Sequence, residues 1–300
     1  MLRFVSIFVV ALVALVGPAS ANADAARLNI VATFSILGDF AKNVGGERVN
    51  VTTLVGPNSD THVYTPTPSD AKKITDAKLV IVNGLGLEGW LPRLVKSSGS
   101  KAATVVATKG VATRKIEDGH SHDPSDADPH AWQSVVNAKT YVTNIRDALI
   151  AADPAGAEAY KANAASYLSK LDALDRDVRE AVAKIPPERR SVISTHDAFG
   201  YFAAAYGIKF IAPQGVSTES EPSARDIAAI ISQIKKQKIP AVFLENVSDP
   251  RLMRRIAAET GANIGGTLYS DSLTDEKGPA PTYIDMVRHN IKALTSALSS

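Results

Sequence analysis

Three histidines and one aspartate carry the chemistry legible in this chain: His62 in DTHVYTPTPSD, His130 in DPHAW, His196 in STHDAFGYF and Asp271 in LYSDSL. Each follows an apolar run that reads as a strand. The chain has six histidines in all, so half of them occupy this role. Imidazole nitrogens and a carboxylate oxygen suit a divalent first-row metal. A lone histidine at a strand end is more often a hydrogen-bonded surface residue than a ligand. Four such residues in matching positions make coincidence the weaker explanation. Two fall in each half of the sequence, so an ion held by all four would pin the halves together. That points to capture and carriage of a metal more than to chemistry on a substrate.

Neighbouring residues extend the pattern. Asp60 and Asp128 stand two before His62 and His130, where they could orient the imidazoles or cap turns. Asp197, beside His196, is placed as the N-cap of the following helix. His120 and His122 lie in the acidic stretch EDGHSHDPSDADP, which has no apolar periodicity and reads as a loop able to gather metal loosely. His289 falls off the apolar stripe Ile284, Val287, Ile291, Leu294 and Leu298, and is expected to be exposed. Trp90 and Trp132 read as packing residues, with Trp132 able to wall the site.

The elements that must position these groups repeat. Val31–Gly46 (VATFSILGDFAKNVGG) is echoed by Ile193–Gly207 (ISTHDAFGYFAAAYG), aligning Thr33 with Thr195, Gly38 with Gly200 and Gly45 with Gly207. Each reads as a strand, a turn and a helix ending at glycine. A strand follows each, at 49–55 and 209–212. Helix starts at TPSDAKKI and EPSARDI come next, with Ser69 and Ser223 as caps or first-turn residues. Then come nearly continuous apolar strands at 79–83 and 241–246, as expected of strands buried on both faces. Further helix and strand pairs follow, at 91–96 with 103–107 and at 251–260 with 263–269.

This alternation implies an α/β fold of two similar lobes, each a parallel sheet with helices on its faces. Ligands in such lobes bind beyond the carboxyl ends of strands, so the quartet would line one cleft between them. Between the halves, Tyr160, Ala164, Tyr167, Leu171, Leu174, Val178 and Val182 recur at helical spacing. Asp153-Pro154 starts that segment and Pro186-Pro187 stops it. A helix of about 30 residues, about 45 Å long, would run as a stiff strut along both lobes.

Bulk properties narrow the class. The opening MLRFVSIFVVALVALVGPASANA reads as a secretory signal, with Arg3, an apolar run over 4–16 and a small-x-small site at 21–23. The run is shorter than the about 20 residues of a membrane span. The expected division is therefore 1–23 signal peptide, 24–152 first lobe with a metal-associated loop at 117–129, 153–186 linking helix and 187–300 second lobe. The absence of cysteine excludes disulfides, thiolate ligands and a lipid-bearing cysteine, so the mature protein is expected free in the periplasm. The net charge of +2 offers no basic stripe for nucleic acid.

Taken together, the motifs resemble the cluster A-I metal-binding proteins of ABC transporters, the zinc- and manganese-uptake solute-binding family. The landmarks are Asp60-x-His62-x-Tyr64-x-Pro66-x-Pro68-Ser69-Asp70, Asn83-Gly-Leu-Gly-Leu-Glu-Gly-Trp90, Asp128-Pro-His130-x-Trp132, Thr195-His196-Asp197-Ala-Phe-Gly-Tyr-Phe202 and Ser270-Asp271-Ser272-Leu273. They cover almost the whole mature chain. The resemblance implies two α/β lobes joined by one rigid long helix, with the family's four ligands at His62, His130, His196 and Asp271. Members selective for manganese or iron commonly carry glutamate where His196 stands. A nitrogen-rich site favours zinc, with manganese the alternative. The short histidine loop leans the same way, although many zinc members carry a much longer one. The implied role is capture of Zn(II) outside the cytoplasm and delivery to an inner-membrane ABC permease, by a monomer, with a periplasmic metallochaperone as a further candidate partner.

Two rivals belong to other classes. A secreted zinc hydrolase would need an open metal position and a general base, for which Glu219, Glu221 and Glu245 are candidates. No HExxH helix occurs, and a fourth protein ligand closes the position. A metallochaperone or adhesin would share the same site and differ only in partners.

Overall fold

The computed structural model describes residues 27–116 and 127–299. The expected signal peptide, His120 and His122 lie outside the described residues.

The first sheet contains β1 (Leu28–Phe34), β2 (Val49–Val55), β3 (Leu79–Val82) and β4 (Ala103–Val106), all parallel, in the order β2-β1-β3-β4. Helices α1 (Ser35–Gly45), α2 (Pro68–Asp76) and α3 (Leu91–Ser98) make the crossovers. After β4 come α4 (Val135–Ala152) and α5 (Ala157–Ala183), and the second half then runs through β5 (Ser191–Ile193), α6 (Gly200–Tyr206), β6 (Lys209–Ile211), α7 (Ala224–Gln237), β7 (Ala241–Glu245), α8 (Arg251–Thr260), β8 (Asn263–Leu268) and α9 (Tyr283–Leu298). Its sheet repeats the first, in the order β6-β5-β7-β8. The strand order therefore reverses between β1 and β3 and again between β5 and β7. At such points the loops leaving neighbouring strands diverge and open a crevice at the carboxyl edge.

Local sequence explains the elements. All four residues of β3, LVIV, are buried, which a strand covered on both faces by crossover helices requires. Ser223 and Asp226 cap α7 reciprocally: Asp226 N donates to Ser223 Oγ, and Ser223 N to Asp226 Oδ2, at 3.2 and 3.1 Å. At α2 the N-cap is Thr67, not Ser69, which falls in the first turn; Asp70 Oδ2 accepts from Thr67 N at 2.8 Å. Gly38 lets α1 lie against β2, because a Cβ there would stand 2.4 Å from Thr53 Cγ2.

The linking helix is shorter than its sequence pattern predicts. A 3-10 turn over Pro154–Gly156 precedes α5, which holds 27 residues and spans about 40 Å. The stripe from Tyr160 to Val182 is buried as expected, all along its length. An additional helix, α4, packs antiparallel to it and has no counterpart in the second half. Phe40, Tyr141, Tyr167, Leu171, Phe202 and Tyr283 share one core, so the two lobes are fused along α4, α5 and α9. His289 is half-buried rather than exposed, with Nε2 3.1 Å from the Thr267 carbonyl and its ring against Tyr269.

Candidate metal centre

All four ligand candidates meet at the carboxyl edges of the sheets. His62 stands on the loop after β2, and His130 on the long connection after β4. His196 follows β5, held beside β6 by a bridge to Gln214. Asp271 follows β8. One ligand atom from each lies within 4.8 Å of every other, and all four residues are buried.

The spacing suits one small cation. His62 Nε2 is 3.2 Å from His130 Nε2 and 3.4 Å from Asp271 Oδ2. His196 Nε2 is 3.1 Å from Asp271 Oδ2. A tetrahedral ion with bonds of about 2.0–2.1 Å places its ligand atoms about 3.3 Å apart. Asp271 Oδ1 is buried without a hydrogen-bond partner, 3.6 Å from His130 Nε2. A buried carboxylate oxygen left unpaired is costly, and a cation at the centre would satisfy it.

The imidazoles are aimed from behind. His130 Nδ1 lies 2.9 Å from Asp128 Oδ1, which also accepts from His130 N at 2.9 Å. Asp128 thus both caps the turn and orients the ring. Asp60 does only the first for its histidine: Oδ1 accepts from His62 N at 2.9 Å, while Oδ2 accepts from Thr218 Oγ1 at 2.6 Å. His196 Nδ1 lies 2.5 Å from Glu245 Oε2. Glu245 Oε1 accepts from Thr195 N at 2.7 Å and His196 N at 3.1 Å. With Nδ1 facing a carboxylate, Nε2 of each ring is left for an ion.

Glu245 is the supporting residue that its sequence position concealed. As a rival's general base it would need to face a substrate, yet it is buried and committed to His196. Glu219 and Glu221 are exposed. Asp197 is not the cap expected, because α6 starts at Gly200 and its N-cap is Phe199.

Electrostatics couple the set. Burial alone would lower the His130 pKa, but the Asp271 and Asp128 carboxylates push it up to about 9. Burial opposes protonation of His196 too, and Glu245 and Asp271 raise it well above the ordinary imidazole range. Burial would raise Asp271, yet His196 and His130 hold it well below the usual carboxylate range. The metal-free centre therefore stores protons where a cation would sit.

His62 lines a cavity of 990 Å³ alongside Leu85, Pro129, Val216 and Glu219, and is 8% exposed, whereas His130, His196 and Asp271 are fully buried. Trp132 closes the inner wall. It is fully buried, lies 5.2 Å from the His130 ring and donates from Nε1 to the Ser270 carbonyl at 2.9 Å. Trp90 is a packing residue of the first lobe, donating to the Thr61 carbonyl at 2.9 Å. Among the described residues, no helix is long and apolar enough to cross a membrane.

Paired parallel sheets with a buried three-histidine, one-aspartate cradle between them mark the two-lobed metal-binding class of solute-binding proteins. Residues 30–297 match the family described as zinc-uptake complex component A, periplasmic, and the chain belongs to that family. It is 37% identical over 276 residues to the manganese-binding lipoprotein MntA of Halalkalibacterium halodurans, covering 92% of this chain and 90% of that protein. It is 37% identical over 270 residues to the iron-binding protein YfeA of Yersinia pestis, covering 90% and 86% respectively. The periplasmic zinc binding protein TroA from Treponema pallidum shares the fold with a TM-score of 0.84 at 31% identity, over 91% of this chain and 100% of that one.

Proposed function

We propose that this protein is the extracytoplasmic subunit of an ABC importer, that it captures Zn(II) with His62, His130, His196 and Asp271, and that it delivers the ion to a membrane permease. The observation that carries this reading is the convergence of three imidazole nitrogens and a carboxylate, all buried, within 4.8 Å. Three nitrogens and one oxygen at tetrahedral spacing favour zinc. Filling four positions with protein atoms leaves no place for a catalytic water, which separates carriage from hydrolysis.

Manganese is the second reading, and one observation favours it. Both Asp271 oxygens face imidazoles, Oδ2 at 3.1 Å from His196 and Oδ1 at 3.6 Å from His130. A carboxylate presented that way can bind through both oxygens and give the higher coordination number that manganese accepts. The relative named for manganese, MntA, is consistent with this alternative.

Finer features complete the proposal. Residues 1–23 direct export, and the mature monomer works free in the periplasm. Residues 24–152 and 187–300 form the lobes, with 153–186 as the strut. His120 and His122 collect ions for the main site. Metal analysis of the protein isolated from its own periplasm, followed by competition titration with zinc and manganese, tests the assignment. Tight binding of neither ion would refute it. Deleting 117–126 should slow capture and leave the main site intact.

A further inference from the structure

The quartet divides two and two along the sequence, but not by what holds it in place. The Ser270 carbonyl accepts from Trp132 Nε1 at 2.9 Å and from Gln133 Nε2 at 2.6 Å. On the other side of Asp271, Leu273 N donates to Ser35 Oγ at 2.9 Å, and Ser59 N donates to Ser272 Oγ at 3.3 Å. Asn58 N donates to the Leu273 carbonyl at 2.9 Å. Every one of those partners belongs to the first half of the chain. Further along the same strip, Tyr283 packs edge-on to Phe40 at 4.8 Å and donates from its hydroxyl to the Trp132 carbonyl at 2.6 Å. The chain thus leaves the second sheet at Leu268 and docks on the first lobe before it reaches Asp271.

His196 is held differently. Ser194 N donates to Ile211 O, Thr195 N and His196 N donate to Glu245, Asp197 N donates to Gly215 O, and Gln214 N donates to Thr195 O. All of these bonds stay inside the second lobe. Toward the first lobe His196 offers ring contacts, at 5.3 Å to His130 and 5.9 Å to His62, and its Nε2 stands 3.1 Å from Asp271 Oδ2. On the helix that follows it, the Tyr201 hydroxyl accepts from Arg114 N at 3.0 Å and donates to the Asp128 carbonyl at 2.9 Å. Two hydrogen bonds tie the second lobe's β7 end to the Asp271 strip: Ser270 Oγ to Glu245 Oε2 at 2.9 Å and Asn246 Nδ2 to Ser272 O at 3.2 Å.

We propose that Asp271 belongs mechanically to the first lobe, with Trp132, Gln133 and Ser35 as its positioning residues, and that His196 with Glu245 is the one ligand withdrawn when the cation is released. This rests on the reading of the quartet as a cation site. Its consequence is a three-to-one division. Parting the lobes leaves the ion on His62, His130 and Asp271 with one coordination position opened. A receiving ligand can enter there before the remaining three let go. A two-and-two split would strip the ion of half its shell at once.

The natural sequence has no cysteine, so thiols can be introduced singly or in pairs. Lys72 on α2, Glu276 on the strip after Asp271 and Arg254 on α8 are exposed label positions. Spin-label distances are read by electron–electron resonance in the full mature chain, with zinc and after chelation. The 72–254 distance should change on zinc removal, and the 72–276 distance should not. Equal movement of both pairs, or no movement of 72–254, overturns the proposal. A second measurement uses S35C/S272C, because the two hydroxyl oxygens stand 3.3 Å apart. The oxidised staple fixes the Asp271 strip to the first lobe. Zinc release to a chelator should stay within about twofold of the reduced form, whereas slowing by about tenfold or more would show that Asp271 has to leave. Failure of the unlabelled protein to bind zinc would count against the cation site itself, not against this division.

Discussion

Glu245 Oε2 lies 2.5 Å from His196 Nδ1, across 49 residues of sequence. The carboxylate is buried, and its other oxygen fixes the backbone of the same histidine. Orientation, tautomer and basicity of one candidate ligand are thus set by one side chain at the end of a neighbouring strand. In the first lobe Asp128 does the same for His130 from two residues away. The two halves reach one chemical solution by different routes.

Replacing Glu245 by glutamine keeps the shape and removes the charge. One amide carbonyl cannot serve both the backbone N–H groups and Nδ1 as two carboxylate oxygens do. Losing such an outer partner typically costs about 10–100-fold in metal affinity. Glu245→Gln should therefore weaken zinc binding by that order in a competition titration while the fold persists by circular dichroism. An unchanged affinity would remove Glu245 from the account of the site.

Proton release follows from the raised imidazoles. With His130 near 9 and His196 raised as well, the metal-free site is protonated at neutral pH and zinc must displace those protons. Calorimetry at about pH 7.5 in buffers of different ionisation enthalpy should report at least about one proton released per zinc. Stability carries the opposite sign in the two forms. The His130 contribution to metal-free stability is full below its unfolded pKa of about 6.5 and is lost as pH rises to about 9. Zinc stabilisation grows over the same window, because fewer protons compete. Melting temperatures with and without zinc should diverge as pH rises; parallel curves would refute the linkage.

Much of this is legible in the amino-acid sequence itself. Continuous apolar runs such as LVIV marked the buried strands, and their repetition marked the lobes. The quartet was legible because each member follows a strand, where a parallel sheet exposes its ligands. Asp128 was within reach of local reasoning, since two residues separate it from His130. Glu245 was not, because nothing local links strand β7 to His196. Helix α4 has a full helical stripe, Val135, Ala138, Tyr141, Val142, Ile145 and Leu149, but it has no partner in the second half and the repeat passes over it. The docking of 270–273 on the first lobe depends on side chains more than a hundred residues distant, such as Trp132. No spacing rule anticipates that.

Asp271 is the anion that both raised imidazoles face. Asp271→Asn keeps the volume, removes a ligand charge and takes away a principal cause of both shifts. Zinc affinity should fall by more than the about 100-fold ceiling of an outer-partner loss. Proton release per zinc should fall with it, because the imidazoles no longer hold protons as strongly. Lower affinity with undiminished proton release would place the source of the shifts elsewhere.

Gly200 offers a test that separates support from stability. It aligns with Gly38, yet the two glycines make room for different things. A Cβ at Gly38 would meet Thr53 Cγ2 at 2.4 Å, between α1 and β2 and away from the centre. A Cβ at Gly200 would stand 2.8 Å from Asp128 Oδ2 and 3.1 Å from Arg114 Cζ. Asp128 is short and buried, and its other oxygen holds His130. It cannot yield without turning the imidazole. Overpacking of this kind costs about 1–3 kcal/mol at either position. Gly38→Ala should therefore lower the melting temperature with zinc affinity unchanged. Gly200→Ala should lower both, since the displaced carboxylate carries the histidine with it. If titration finds full affinity in Gly200→Ala, the path from α6 through Asp128 to His130 has no hold on the metal.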